Sequence, residues 1–161
     1  MRWVRPIRLA GLGSHQDADG LGWRVVARLQ ERLGSNADVA ANALAGPAGL
    51  LDMLDGTGTL VIVDAVQSGA PVGTLHRWRW PGPEFVQWGG TSTHGLGLME
   101  VLPLAATLGL LPPVVEVWGV EVAAEPVPKA VAAAAEVALV EELLATSTQE
   151  MHDVQDHSRS R

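Results

Sequence analysis

Leu60-Val61-Ile62-Val63-Asp64-Ala65 decides how the rest of this chain is read. Four consecutive aliphatic residues with no polar alternation describe a strand buried on both faces, as in the centre of a parallel sheet. Such a strand needs helices on either side, so the flanking sequence should alternate strand and helix. Toward the N-terminus, residues 3–9 read as a first strand that Pro6 weakens or kinks, and Gly11-Leu12-Gly13 ends it in a tight turn. From position 19 to 33 the apolar residues Leu21, Val25, Val26, Leu29 and Leu33 recur at helical spacing, and Gly34-Ser35 stops that helix. Residues 38–44 suit a short strand. Gly46-Pro47 opens a short helix to Leu54, which Asp55-Gly56 closes.

Toward the C-terminus, residues 74–80 alternate as a strand and 81–90 form a loop. Residues 94–108 are helical, with a kink expected at Pro103. Residues 114–122 make another strand, and 129–144 an alanine-rich amphipathic helix. The fold class expected is α/β: a three-layer sandwich whose mostly parallel sheet of about five strands is flanked by helices. Residues 1–145 form one domain, and the polar stretch 146–161 reads as a disordered tail. No internal repeat is visible.

Composition narrows the function classes. The 161 residues are 47% hydrophobic, enough for a single core. With 18 acidic against 11 basic residues the net charge is −7, and no basic stripe is available to follow a nucleic-acid backbone. The nearest candidate, His76-Arg77-Trp78-Arg79, is too short. The absence of cysteine excludes disulfides, zinc fingers and thiol catalysis, and fits a cytoplasmic setting. The first ten residues are basic but lack the apolar run of a signal peptide. The apolar region 101–122 is interrupted by Pro103, Pro112, Pro113 and Glu116, so no membrane span is expected.

Three residues carry the candidate chemistry. Asp19 lies in Gly11-Leu-Gly-Ser-His-Gln-Asp-Ala-Asp-Gly-Leu-Gly22, after the first strand. Asp64 ends the buried strand, and His94 opens a helix in Thr91-Ser-Thr-His-Gly-Leu-Gly-Leu98. In a parallel sheet, sites form beyond the carboxyl ends of the strands, so all three can meet at one edge. Two carboxylates and an imidazole would make a three-ligand metal site with open positions.

Each residue also has a plainer role. Asp19 can cap the helix that follows it, and on that segment alone the cap is the simpler account. Asp64 can bond the next loop, since a carboxylate after four aliphatic residues must be exposed, paired or ligating. His94 alone is more simply a helix-terminal residue bonded to backbone. His76 reads as a strand surface residue, and His152 and His157 as chance occurrences in the tail. A dinucleotide fingerprint fails because Gln16 stands where its third glycine is required. A nucleophilic triad of Ser14, His94 and Asp64 lacks the Gly-x-Ser-x-Gly elbow. Trp78 and Trp80 share one strand face near Trp88. They suit core packing better than a grip on a partner chain.

At these segments the sequence resembles the hydrogenase maturation endopeptidases, which trim the C-terminal tail of the large subunit of nickel–iron hydrogenases. Gly11-Leu12-Gly13-Ser14 and Asp19-Gly20-Leu21-Gly22 match the first signature of that family. Val63-Asp64-Ala65 matches its second and Ser92-Thr-His-Gly-Leu-Gly-Leu98 its third, with Pro71-Val-Gly-Thr74 loosely matching a Pro-Gly-Thr region. The resemblance runs over roughly residues 7–145. It implies that Asp19, Asp64 and His94 are the catalytic, metal-contacting residues. It also implies that nickel arrives with the substrate, a hydrogenase large-subunit precursor, and that no organic cofactor is needed. The chain departs from the pattern at Ser14, where asparagine is usual, and at Asp17-Ala18-Asp19, where an acidic pair is normally adjacent. Asp17 and His15 are therefore reserve ligands. A non-catalytic assembly factor of the same fold is the alternative.

Overall fold

The computed structural model describes residues 3–13, 20–83, 85, 95–123 and 129–158. Its five strands are β1 (Ile7–Leu12), β2 (Val39–Leu44), β3 (Thr59–Val66), β4 (Leu75–Trp80) and β5 (Val114–Glu121). The helices are α1 (Leu21–Leu33), a 3-10 helix η1 (Pro47–Met53), α2 (Gly95–Thr107) and α3 (Lys129–Ser158). The sheet order is β2-β1-β3-β5-β4. β1–β2, β1–β3 and β3–β5 are parallel, and only the edge strand β4 is antiparallel, to β5. The α/β reading with a mostly parallel five-stranded sheet is thus what the chain adopts.

β3 is buried at every position, as its unbroken aliphatic run requires. Its residues nevertheless divide by alternation. Val61, Val63 and Ala65 join a core with Val25, Val26 and Leu29 of α1 and Leu139, Val140 and Leu143 of α3. Leu60 and Ile62 join the opposite core, with Leu50 of η1 and Leu98, Leu102 and Ala105 of α2. Each fully buried aliphatic side chain contributes about 1.5–3 kcal/mol, so these two layers account for most of the fold's cohesion. On the first face Glu136 of α3, buried, takes Arg24 and Arg28 of α1.

Several boundaries differ from the sequence reading for identifiable reasons. The first strand begins at Ile7, after Pro6, because proline has no N–H for a sheet ladder. It then continues through Gly11 and Leu12 instead of turning there. A Cβ on Gly11 would lie 2.2 Å from the Gly22 carbonyl oxygen, and one on Gly22 the same distance from that of Leu12. These glycines let the first turn of α1 rest on the end of β1. β3 likewise runs two residues past Asp64, to Val66. The stretch expected to be a disordered tail from Thr146 instead prolongs α3 to Ser158. Thr146, Ser147 and Thr148 there return their hydroxyls to the carbonyls of Glu142, Leu143 and Leu144.

Gly22→Ala should cost about 1–3 kcal/mol, because the added methyl meets backbone that cannot rotate away. Urea denaturation measures this, and an unchanged midpoint would refute the close helix–strand contact.

Candidate functional site

Parallel pairing places the carboxyl ends of β1, β2, β3 and β5 along one edge of the sheet. Asp64 sits near that edge on β3, at 2% exposure. It follows the pair Gly11↔Val63 on one side and is opposite Gly119 of β5 on the other. Alternation from Leu60 and Ile62 turns it toward the η1 and α2 layer. Its Oδ1 accepts the Ala65 N–H at 2.8 Å. An ionised carboxylate this deeply buried is costly unless donors or a cation meet it.

Two helix starts converge on the same edge. α1 begins after Gly20, and Gly22 touches Leu12 one residue beyond the Gly11↔Val63 pair. The N-cap is Gly20, which brings no side chain to that role, and the first turn of α1 holds no acidic residue. α2 begins at Gly95, and a Cβ on Gly97 would lie 3.1 Å from Pro47 Cγ at the start of η1, just after β2 ends. Helix N-termini present unpaired N–H groups and partial positive charge, which suits a carboxylate-rich site. Of the expected trio, the structure places Asp64. Asp19 and His94 lie outside the described residues, as do Ser14, His15, Asp17 and Trp88. Among the described residues, no group of three or more His, Cys, Asp or Glu side chains is arranged to hold a metal.

The sequence reading missed a polar cluster formed by His76 of β4, Glu121 at the end of β5 and Ser68 just after β3. His76 pairs with Gly119 across β4–β5, so Asp64, Gly119 and His76 form one row across three strands. His76 Nε2 is 2.9 Å from Oε1 of Glu121, whose side chain is 1% exposed. The Ser68 N–H reaches both Glu121 carboxylate oxygens at 3.1 Å, and its hydroxyl donates to Oε1 as well. Burial alone would push the Glu121 carboxyl up. The Ser68 hydroxyl and amide and His76 outweigh it and hold the group below the ordinary glutamate range. His76 is therefore no simple surface residue. The signal available in the sequence was Glu121 itself, a carboxylate at the end of a mostly apolar strand.

Trp78 and Trp80 do share a face, and both pack edge-on against Phe85, at 6.3 and 5.0 Å between ring centroids. The core-packing reading holds for this pair. On the opposite face Arg77 donates to Glu116 from Nε at 2.5 Å and lies 4.8 Å from the centroid of the Trp118 ring. This basic run is thus partly consumed inside the fold.

A family model described as HycI, hydrogenase maturation protease, matches residues 23–149. The chain belongs to the hydrogenase maturation protease family. The match contains Asp64 and His94 and begins after Asp19. Among solved structures, the hydrogenase maturating endopeptidase HybD from E. coli is 25% identical, with a TM-score of 0.73 over 92% of this chain and 93% of that one. An endopeptidase from Escherichia coli is 27% identical, covering 86% and 91% of the two chains at a TM-score of 0.68. A NiFe hydrogenase maturation protease HybD from Thermococcus kodakarensis shares the fold at 18% identity, covering 90% and 98% with a TM-score of 0.69. Comparison with curated protein sequences finds no match. Within the described residues of this family member, no helix is long and apolar enough to cross a membrane.

Glu121 makes stability pH-dependent with a definite sign. Its carboxyl titrates lower in the folded than in the unfolded chain. The stabilisation is therefore complete above the unfolded value and is lost as pH falls through the folded one. The difference in melting temperature between the wild type and Glu121→Gln should shrink as pH drops below 4.5. A gap that stays constant in acid would contradict this.

Proposed function

We propose that this protein is a cytoplasmic processing endopeptidase that removes the C-terminal extension of a nickel-loaded hydrogenase large-subunit precursor. The observation that carries the reading is Asp64. It is a carboxylate buried at the carboxyl end of the central strand, in a chain of the hydrogenase maturation protease family. The starts of α1 and α2 at the same sheet edge support recruiting Asp19 and His94, which immediately precede Gly20 and Gly95 in the chain.

In this reading Asp19, Asp64 and His94 contact the nickel carried by the substrate. Oxygen and imidazole donors suit a borderline divalent ion. The metal would polarise the scissile carbonyl or activate water. Three such donors without a thiolate make a weak resident site, so recognition of the loaded precursor is the natural use of the trio.

A second reading is a non-catalytic assembly factor that binds the precursor without cutting it. The separated acidic residues Asp17-Ala18-Asp19, Ser14, and a family match that starts after them favour it. Shortening of the precursor separates the two readings.

With nickel-loaded precursor as substrate, Asp64→Ala and His94→Ala should each lower processing by at least about a hundredfold while circular dichroism shows an intact fold. Full trimming by both variants would remove the metal-site account. Asp19→Ala should cost more than Asp17→Ala. The reverse ranking would make Asp17 the ligand.

A further inference from the structure

Glu121 has more partners than the fold requires of a strand terminus. Its backbone N–H donates to the Thr74 carbonyl, and its own carbonyl accepts from Gly73 N–H, each at 2.9 Å. Its carboxylate takes the Ser68 amide and hydroxyl, and lies 2.9 Å from His76 Nε2. Both ends of the segment between β3 and β4 are thereby fixed to one residue. This buried carboxylate lies past Gly119 on β5, opposite Val66 of the Asp64 strand, and takes no part in the proposed chemistry.

The clamp continues toward Asp64. The His76 ring stacks on Trp78, with centroids 4.9 Å apart and planes 7° from parallel. Trp78 in turn occupies the space a side chain at position 119 would fill, since a Cβ there would lie 2.8 Å from Trp78 Cζ3 and 2.9 Å from Val66 Cγ1. Gly119 is the cross-strand neighbour of Asp64. An indole thus walls the strand position beside the candidate ligand, and the tie from Glu121 through His76 fixes that indole.

We propose that Glu121 is a positioning residue for the processing reaction: through Ser68 and His76 it holds the β3–β4 segment and the Trp78 ring in the places that shape the wall beside Asp64. This rests on the processing reading given above. Supporting groups around metal-contacting residues set their orientation and the access of water, and losing one costs far more in turnover than in fold. Glutamine can still accept from Ser68 and reach His76, whereas alanine can do neither.

The test uses the full-length protein and nickel-loaded precursor. Glu121→Ala should lower kcat by about ten- to a hundredfold with a smaller change in KM. Its Ser68 amide should exchange with solvent faster than in the wild type. Glu121→Gln should restore most of the turnover. Glu116→Gln, altering the half-buried ion pair with Arg77 on the opposite face, should lower the melting temperature without changing kcat/KM. If Glu121→Ala fails to fold, Ser68→Ala and His76→Gln carry the test, each expected to reduce kcat. Wild-type kcat in the folded variants, or a fall equally large in Glu116→Gln, would overturn the positioning role. A wild type that binds but never shortens the precursor would instead overturn the processing reading, and this one with it.

Discussion

Parallel pairing of β1, β3 and β5 is the constraint on which the rest depends. It forces each connection to return across the sheet, so that the chain leaves one edge after every parallel strand. Loops accumulate at that edge whatever their sequence. A strand buried on both faces can carry a charged residue only near its end, where donors or a cation can reach it. Asp64 is the residue of β3 placed so, and the fold supplies two helix starts beside it.

Small residues make this convergence tight. Gly11 and Gly22 bring α1 onto β1, and Gly97 brings α2 onto Pro47. Gly119 makes room for Trp78 between the Asp64 strand and the antiparallel edge. Gly11, Gly22 and Gly97 are thus packing devices that position the start of a helix, not phosphate cradles. That agrees with the failure of the dinucleotide pattern at Gln16.

Much of the fold was legible because its signals are local. The aliphatic run of β3 and the helical period from Leu21 to Leu33 specify their elements directly, and their alternation specifies the parallel sheet. What escaped depended on tertiary partners. The end of β1 was misplaced because Gly11 reads as a turn until α1 is seen resting on it. The helical course of residues 146–158 was hidden by their polarity. Of the candidate site, Asp64 was legible as a charge after an apolar run. His76 looked like a surface residue because its partner Glu121 is 45 positions away in the sequence and meets it only across β4 and β5. The family motifs pointed to the expected trio and gave no sign of the cluster of Glu121, Ser68 and His76.

The central claim is that Asp19, Asp64 and His94 deliver their donors to one point at the carboxyl edge of the sheet. Anomalous diffraction at the nickel edge from crystals soaked in nickel tests it most directly. A single peak within about 2.0–2.5 Å of the carboxylates of Asp19 and Asp64 and the ring of His94 is expected. A peak that excludes Asp64, or an Asp64 carboxylate turned into the sheet and out of reach of the His94 ring, would contradict it.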